Sequence, residues 1–167
     1  PAIKPQAAYY EMYGTAGMKT LYKTQEYARS RGMYVITDGK RNDIGTTMEA
    51  YATSHLGHTD VAGESIDAFG EDALTVNGYL GTDGIKPLAK ICDSDDKGIF
   101  VLVKTSNPSS GELQDMKLET NESVYEHMGK MCEGWGEDLM GKHGYSAVGA
   151  VVGATYPEQL GEMRAKL

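Results

Sequence analysis

Tyr34-Val35-Ile36-Thr37-Asp38-Gly39-Lys40-Arg41-Asn42-Asp43-Ile44-Gly45 is the stretch on which this chain turns. A short apolar run of strand-forming residues ends in Asp38. Two charged residues follow at fixed offsets, Lys40 and Asp43, and the pattern then becomes helical. Side chains alternate faces along a strand, so Asp38 and Lys40 are expected to project together from one strand end, close enough to set each other's charge state. Asp43 falls where the first turn of the next helix is expected, and the helix dipole favours an acidic residue there. On the motif alone two readings stand: a surface ion pair with a helix cap, or part of a charged site. D-x-K-x-x-D is short enough to arise by chance, so the neighbouring segments decide.

On the N-terminal side, Ala2-Ile3-Lys4 reads as the end of a strand stopped by Pro5. Thr15 to Arg31 has helical spacing, with Leu21, Tyr22, Tyr27 and Ala28 on one face and Gly32 in the position of a C-terminal cap. On the C-terminal side, Ile44 to Leu56 is helical through Met48, Tyr51, Ala52 and Leu56. Asp72 to Asn77 is a strand. Gly84 to Cys92 is expected to be a short helix with Pro87 in its first turn, and Asp93 to Asp96 a solvated turn. Gly98 to Lys104 is the strongest strand, followed by a polar loop from Thr105 to Gly111. Glu122 to Met140 reads as a long helix with a packing stripe of Val124, Met128, Met131, Trp135 and Leu139. Ala147 to Val152 is a last apolar strand, and Pro157 opens a helix toward Leu167.

Continuous apolar strands alternating with amphipathic helices imply a parallel sheet covered by helices. Polar clusters stand at the C-terminal strand ends: Lys4, Asp38-Lys40, Asn77, Lys104-Asn107 and Gly153-Thr155. A β/α barrel and an open doubly wound sheet both build their sites there, so both folds remain open at this point.

At 167 residues the chain is long enough for one domain, 1–167, with a real core. Hydrophobic residues at 40%, charged residues at 24% and a mean hydropathy of -0.43 describe a globular composition. No apolar run approaches the roughly 18 residues of a membrane span. The net charge of -8 argues against a nucleic-acid partner, since phosphate contacts need clustered Lys and Arg. Cys92 and Cys132, without a CxxC pairing, suggest a reducing compartment and a cytoplasmic location. Pro1 to Pro5 has neither the charged nor the apolar region of a signal peptide.

Several stretches together resemble orotidine 5'-phosphate decarboxylases of the longer bacterial type. They are Ile3-Lys4-Pro5-Gln6, Thr37 to Gly45, Asp72 to Asn77, Phe100 to Pro108, and Val148 to Thr155, in the family's order along the chain. The resemblance implies a (β/α)8 barrel of TIM type, with this chain covering roughly the second to sixth strand units. It also implies a homodimer with shared active sites, a small-molecule nucleotide substrate, and no metal or organic cofactor. By the same resemblance Lys4, Asp38, Lys40 and Asp43 form an alternating charge array. Asp43 would reach the partner subunit's site, with Thr47 beside it near the ribose. Ser106 would hydrogen-bond the pyrimidine, flanked by Thr105 and Asn107, and Gln6 would lie near the ribose.

The reaction implied is decarboxylation of orotidine 5'-monophosphate to uridine 5'-monophosphate. Losing carbon dioxide from C6 leaves a carbanion with little resonance help. An ammonium at that carbon stabilises the charge and then supplies the proton, which makes Lys40 the candidate acid.

Gly78 stands where the family usually has Pro. A β/α barrel takes about 250 residues, and the resemblance implies that the family's first strand and most of the second lie before Pro1, and its last two strands, with the phosphate loop and arginine, beyond Leu167. A chain of these residues alone is expected to be nearly inactive. Two other readings compete: a magnesium-dependent sugar-phosphate decarboxylase sharing D-x-K-x-x-D, and an inactive barrel fragment. His55 and His58, spaced i, i+3 near Asp60, lack an evident third metal ligand; His127 and His143 read as surface residues. Lys104 as a Schiff-base lysine would leave the charges of the Asp38 motif unexplained.

Overall fold

The computed structural model of the protein describes residues 1–166. Its centre is a five-stranded sheet of β1 (Ala2–Ile3), β2 (Tyr34–Arg41), β5 (Ala73–Val76), β6 (Gly98–Lys104) and β7 (Val148–Val152). Every strand lies parallel to its predecessor and beside it, in the order β1-β2-β5-β6-β7. A doubly wound sheet would reverse its order at a switch point; an unreversed parallel run is the wall of a β/α barrel. The geometry therefore resolves the two folds that the strand pattern left open. All five C-terminal ends meet along one rim, and the polar clusters expected there share it.

Helices α3 (Gly45–His55), α4 (Thr82–Asp95) and α6 (Val124–Gly136) cover one face of this wall. Met48, Ala52, Leu56, Ile85, Leu88 and Cys132 pack on Leu74, Val76, Ile99, Val101 and Val148. Each fully buried Leu or Ile contributes about 1.5–3 kcal/mol relative to exposure. Burial pushes the thiols of Cys92 and Cys132 up to about 12, so both are inert core side chains at neutral pH.

Helix α2 (Gly14–Ser30) ends as expected at Gly32, whose φ of 68° only glycine adopts without cost. Its N–H donates to Arg29 O at 2.8 Å while Met33 N–H reaches back to Ala28 O at 3.1 Å, a Schellman cap.

Several elements differ from expectation. Lys4 lies beyond β1, and α1 (Ala7–Glu11) precedes α2. In α2 the buried face is Leu21, Gln25 and Ala28, whereas Tyr27 is 64% exposed. Gln25 points inward because Thr37 and Glu71 offer it partners there. An antiparallel hairpin, β3 (Thr59–Val61) and β4 (Glu64–Ile66), occupies a stretch with too few apolar residues to show a strand period. Helix α4 runs through Asp93–Asp95, with Asp96 as a left-handed cap; the acidic residues lie in its last turn, and Pro87 sits in its second turn.

After β6 a 3-10 turn (Pro108–Ser110) leads into the short α5 (Gly111–Gln114). Helix α6 is shorter than its periodicity suggests, starting at a Ser123–Glu126 capping box. It buries Tyr125, Gly129, Cys132 and Gly136, one position from the expected stripe, whose Met128, Trp135 and Leu139 pack at the margin. At Gly136 an added Cβ would come within 3.2 Å of Val148 Cβ, so this glycine lets the helix approach the sheet closely. Helix α7 (Pro157–Lys166) follows β7; Leu167, where that helix was expected to end, lies outside the described residues. Among the described residues, no helix is long and apolar enough to cross a membrane.

Candidate active site

Alternation along β2 sends Val35 and Thr37 toward the helices and Ile36 and Asp38 to the opposite face. That face carries a cleft of about 220 Å³ lined by Lys4, Ile36, Asp38, Lys40, Thr75, Phe100, Leu102 and Val151. Its floor is apolar, and its charged groups gather at the strand ends.

Asp38 is the hub. It is only 7% exposed, and both oxygens are engaged. Lys4 Nζ donates to Oδ2, Lys40 Nζ lies 2.5 Å from Oδ1, and the Thr75 hydroxyl donates to Oδ1 at 2.9 Å. Burial alone would raise the carboxyl's pKa. The bonds from Lys4, Lys40 and Thr75 outweigh it and hold Asp38 below the ordinary carboxylate range. A buried charge is tolerated only when paired in this manner. The two lysine side chains are about half exposed, at 52% and 45%, so their ammonium groups face the cleft.

Lys40 reaches that position through an irregularity. The β2–β5 register shifts between Thr37 and Arg41, and Lys40 takes a φ of 47°. Such a conformation costs a non-glycine residue about 1–2 kcal/mol. Neighbouring bonds hold it: Lys40 N–H donates to Thr75 Oγ1 at 3.0 Å, and Arg41 Nη1 donates to Gly39 O at 2.8 Å. The expectation that Asp38 and Lys40 project together holds, by way of a bulge rather than a regular strand.

The other expected residues divide. Gln6 bridges to Asp38 in parallel register, as Asp38 N–H donates to Pro5 O at 2.9 Å, so it stands beside the array. Thr105, Ser106 and Asn107 follow β6 on the same rim. None of Gln6, Thr105, Ser106, Asn107, Asp43 and Thr47 lines the cleft itself. Asp43 also precedes the helix instead of entering its first turn: Ile44 is the N-cap, and Asp43 Oδ1 accepts the Ile44 N–H at 2.8 Å. Thr47 is exposed on α3. His55 and His58 diverge: His55 Nδ1 lies 2.5 Å from buried Glu71, whereas His58 sits at the surface between Asp67 and Asp95.

Residues absent from the expected set complete the site. Thr75 binds both Asp38 and the Lys40 backbone. A signal for it existed, a lone polar residue of inward parity between the buried Leu74 and Val76. Behind Asp38, Gln25 Nε2 donates to Thr37 Oγ1 at 2.7 Å and to Glu71 Oε2 at 3.3 Å. This buried network ties α2 and α3 to the strand that carries Asp38. After β6, Gln114 grips Thr105 twice, accepting its N–H at 2.9 Å and donating to its Oγ1 at 2.8 Å.

Comparison with known proteins identifies the family. Residues 2–167 match the model of the orotidine 5'-phosphate decarboxylase / HUMPS family. The chain is 47% identical over 164 residues to orotidine 5'-phosphate decarboxylase of Rhodopirellula baltica, covering 98% of this chain and 53% of that protein. It is 46% identical over 162 residues to the enzyme of the same name from Caldicellulosiruptor bescii, covering 97% and 53%. Among solved structures it superposes on the OMP decarboxylase of Leishmania donovani with a TM-score of 0.79 at 34% identity, covering 99% of this chain and 58% of that one. The chain thus spans about half the length of the curated relatives it matches. With the family's match running across the strand ends that carry Lys4, Asp38 and Lys40, the chain belongs to the orotidine 5'-phosphate decarboxylase / HUMPS family.

Proposed function

We propose that the protein carrying these residues decarboxylates orotidine 5'-monophosphate to uridine 5'-monophosphate, a step of pyrimidine nucleotide synthesis. The observation that carries this reading is the Lys4–Asp38–Lys40 array over an apolar floor. The C6–carboxylate bond breaks, carbon dioxide leaves, and its bonding electron pair stays on C6. Lys40 faces that carbon and stabilises the developing charge. Its N–H proton then bonds to C6, and a solvent proton restores the ammonium. Asp38 holds Lys40 in place, and Lys4 balances the second oxygen of Asp38. Ile36, Phe100, Leu102 and Val151 offer the neutral leaving gas an apolar surface. No step calls on a metal or an organic cofactor.

Gln6 is assigned to the ribose, Ser106 to the pyrimidine edge, and Thr105 and Asn107 to its support. Asp43 and Thr47 are assigned to the partner's site in a homodimer. That assignment fits the exposure of Thr47 and of Ile44 beside Asp43. The location proposed is the cytoplasm, and residues 1–167 are assigned to one domain.

The test is decarboxylation of orotidine 5'-monophosphate by the full-length protein and its Lys40→Ala variant. Acid–base groups contribute roughly 10²–10⁴ in rate, so a variant within about tenfold of wild type overturns the reading. A magnesium-dependent sugar-phosphate decarboxylase is the second reading, favoured only by the D-x-K-x-x-D spacing. Activity that vanishes with EDTA and returns with magnesium would select it.

A further inference from the structure

Lys104 is the one buried lysine among the described residues, at 1% exposure. It ends β6, directly before the Thr105–Asn107 loop, yet its ammonium does not enter the cleft. It turns instead under the loop, 2.6 Å from Asp115 Oδ1 and 3.3 Å from Ser110 Oγ. The Tyr125 and Tyr156 rings lie 5.6 Å and 6.0 Å from Nζ. Burying the Lys104 ammonium is costly, and with its partner Asp115 about half exposed the pair is a weak source of stability. A lysine kept here therefore points to a role in holding one conformation.

What it holds is visible in the loop. Lys104 closes residues 104–115 into a ring through Asp115. Gln114, one residue earlier, fixes both the N–H and the hydroxyl of Thr105. Thr105 Oγ1 in turn donates to Asn107 Oδ1 at 2.6 Å. From the next strand, Gly153 N–H donates to Lys104 O at 2.8 Å. A Cβ on Gly153 would come within 3.0 Å of Ser106 N, so the neighbouring backbone presses directly on Ser106. Ser106 itself stays exposed, with its backbone fixed from both sides.

We infer that Lys104, Gln114 and Asp115 form a positioning clasp that sets the base selectivity of the Thr105–Asn107 loop. This inference rests on the proposed orotidine-nucleotide reading. None of Lys104, Gln114 and Asp115 lines the cleft that holds the charge array. The clasp's effect falls on the pyrimidine edge, where a hydrogen-bonding group displaced by a fraction of an ångström no longer discriminates a uracil from a cytosine.

The experiment uses the full-length protein and measures competitive inhibition of decarboxylation by UMP, CMP and ribose 5-phosphate. Lys104→Met keeps the buried stem and removes the ammonium; Gln114→Ala frees Thr105. Each is expected to cut the preference for UMP over CMP by about tenfold, the worth of one or two hydrogen bonds, with ribose 5-phosphate inhibition unchanged. Gln114→Glu, which keeps the acceptor for Thr105 N–H, is expected to recover part of the preference. Parallel weakening of all three inhibitors overturns the inference, and so does a UMP-to-CMP ratio within about twofold of wild type. If Lys104→Met does not fold, Gln114→Ala decides. A wild-type protein without decarboxylase activity fails the functional reading and this inference together. An active wild type whose variants keep its selectivity removes the clasp alone.

Discussion

The Thr75 hydroxyl donates to Asp38 Oδ1 at 2.9 Å while its own Oγ1 accepts the Lys40 N–H at 3.0 Å. One side chain thereby fixes the hub of the charge array and the backbone bulge that presents its lysine. Thr75→Val keeps the shape, removes both bonds and leaves the part-buried Lys40 N–H unpaired. Hydrogen bonds to charged groups are worth about 1.5–3 kcal/mol, so kcat is expected to fall roughly ten- to hundredfold while Thr75→Ser recovers most of it. Steady-state kinetics on the three proteins check this, and an active Thr75→Val would remove Thr75 from the machinery.

Lys40 combines function with strain. Lys40→Ala and Lys40→Gly both delete the ammonium, and both are expected to abolish turnover. They differ in whether a Cβ stands at a φ of 47°. Relief of that conformation is worth about 1 kcal/mol, so Lys40→Gly is expected to be the more stable of the two. Urea unfolding of the pair measures the difference. Equal midpoints would mean that the bulge relaxes once the lysine is gone.

Asp38 links the array to pH. Its pKa is depressed in the folded protein, so the unfolded chain binds the proton first as pH falls. The stabilisation is complete above the unfolded value near 3.8 and is lost as pH drops through the lower folded value. The stability difference between wild type and Asp38→Asn is therefore expected to stay constant from neutral pH down to about 5 and to change only below about 4. Denaturant melts across pH 3–7 give the profile. A change centred near pH 6 would assign the titration to another group.

Glu71 is fully buried between His55 and Gln25. Glu71→Ala leaves His55 Nδ1 without its partner and Gln25 with Thr37 alone, and is expected to cost about 1–3 kcal/mol, as a buried polar group left unpaired does. Because the network reaches Thr37 beside Asp38, partial loss of activity should accompany the lost stability. Thermal unfolding and kinetics on one preparation test both effects.

The strand-helix alternation, the parallel sheet and the pairing of Asp38 with Lys40 were legible in the residue pattern. Each follows from local chemistry: side-chain parity, apolar runs, and punctuation by Gly and Pro. The family resemblance was legible because its motifs sit at strand ends in a fixed order. The hairpin Thr59–Ile66 was not, because it has too few apolar residues to show a period, and neither was the full length of α4, whose apolar face of Ile85, Leu88 and Cys92 stops short of its acidic last turn.

Gln25, Glu71 and His55 could not be read as partners either, since they meet only when α2, α3 and β5 converge. The same holds for Thr75 under Lys40 and for Lys104 turned away from the cleft toward Asp115. The sequence by itself determined which strand ends carry charge, since parity and composition act within a few residues. Only the tertiary structure decided which charges face the cleft and which are buried to hold it. That choice depends on pairing across elements distant in the chain, where desolvation makes every unpaired polar group costly.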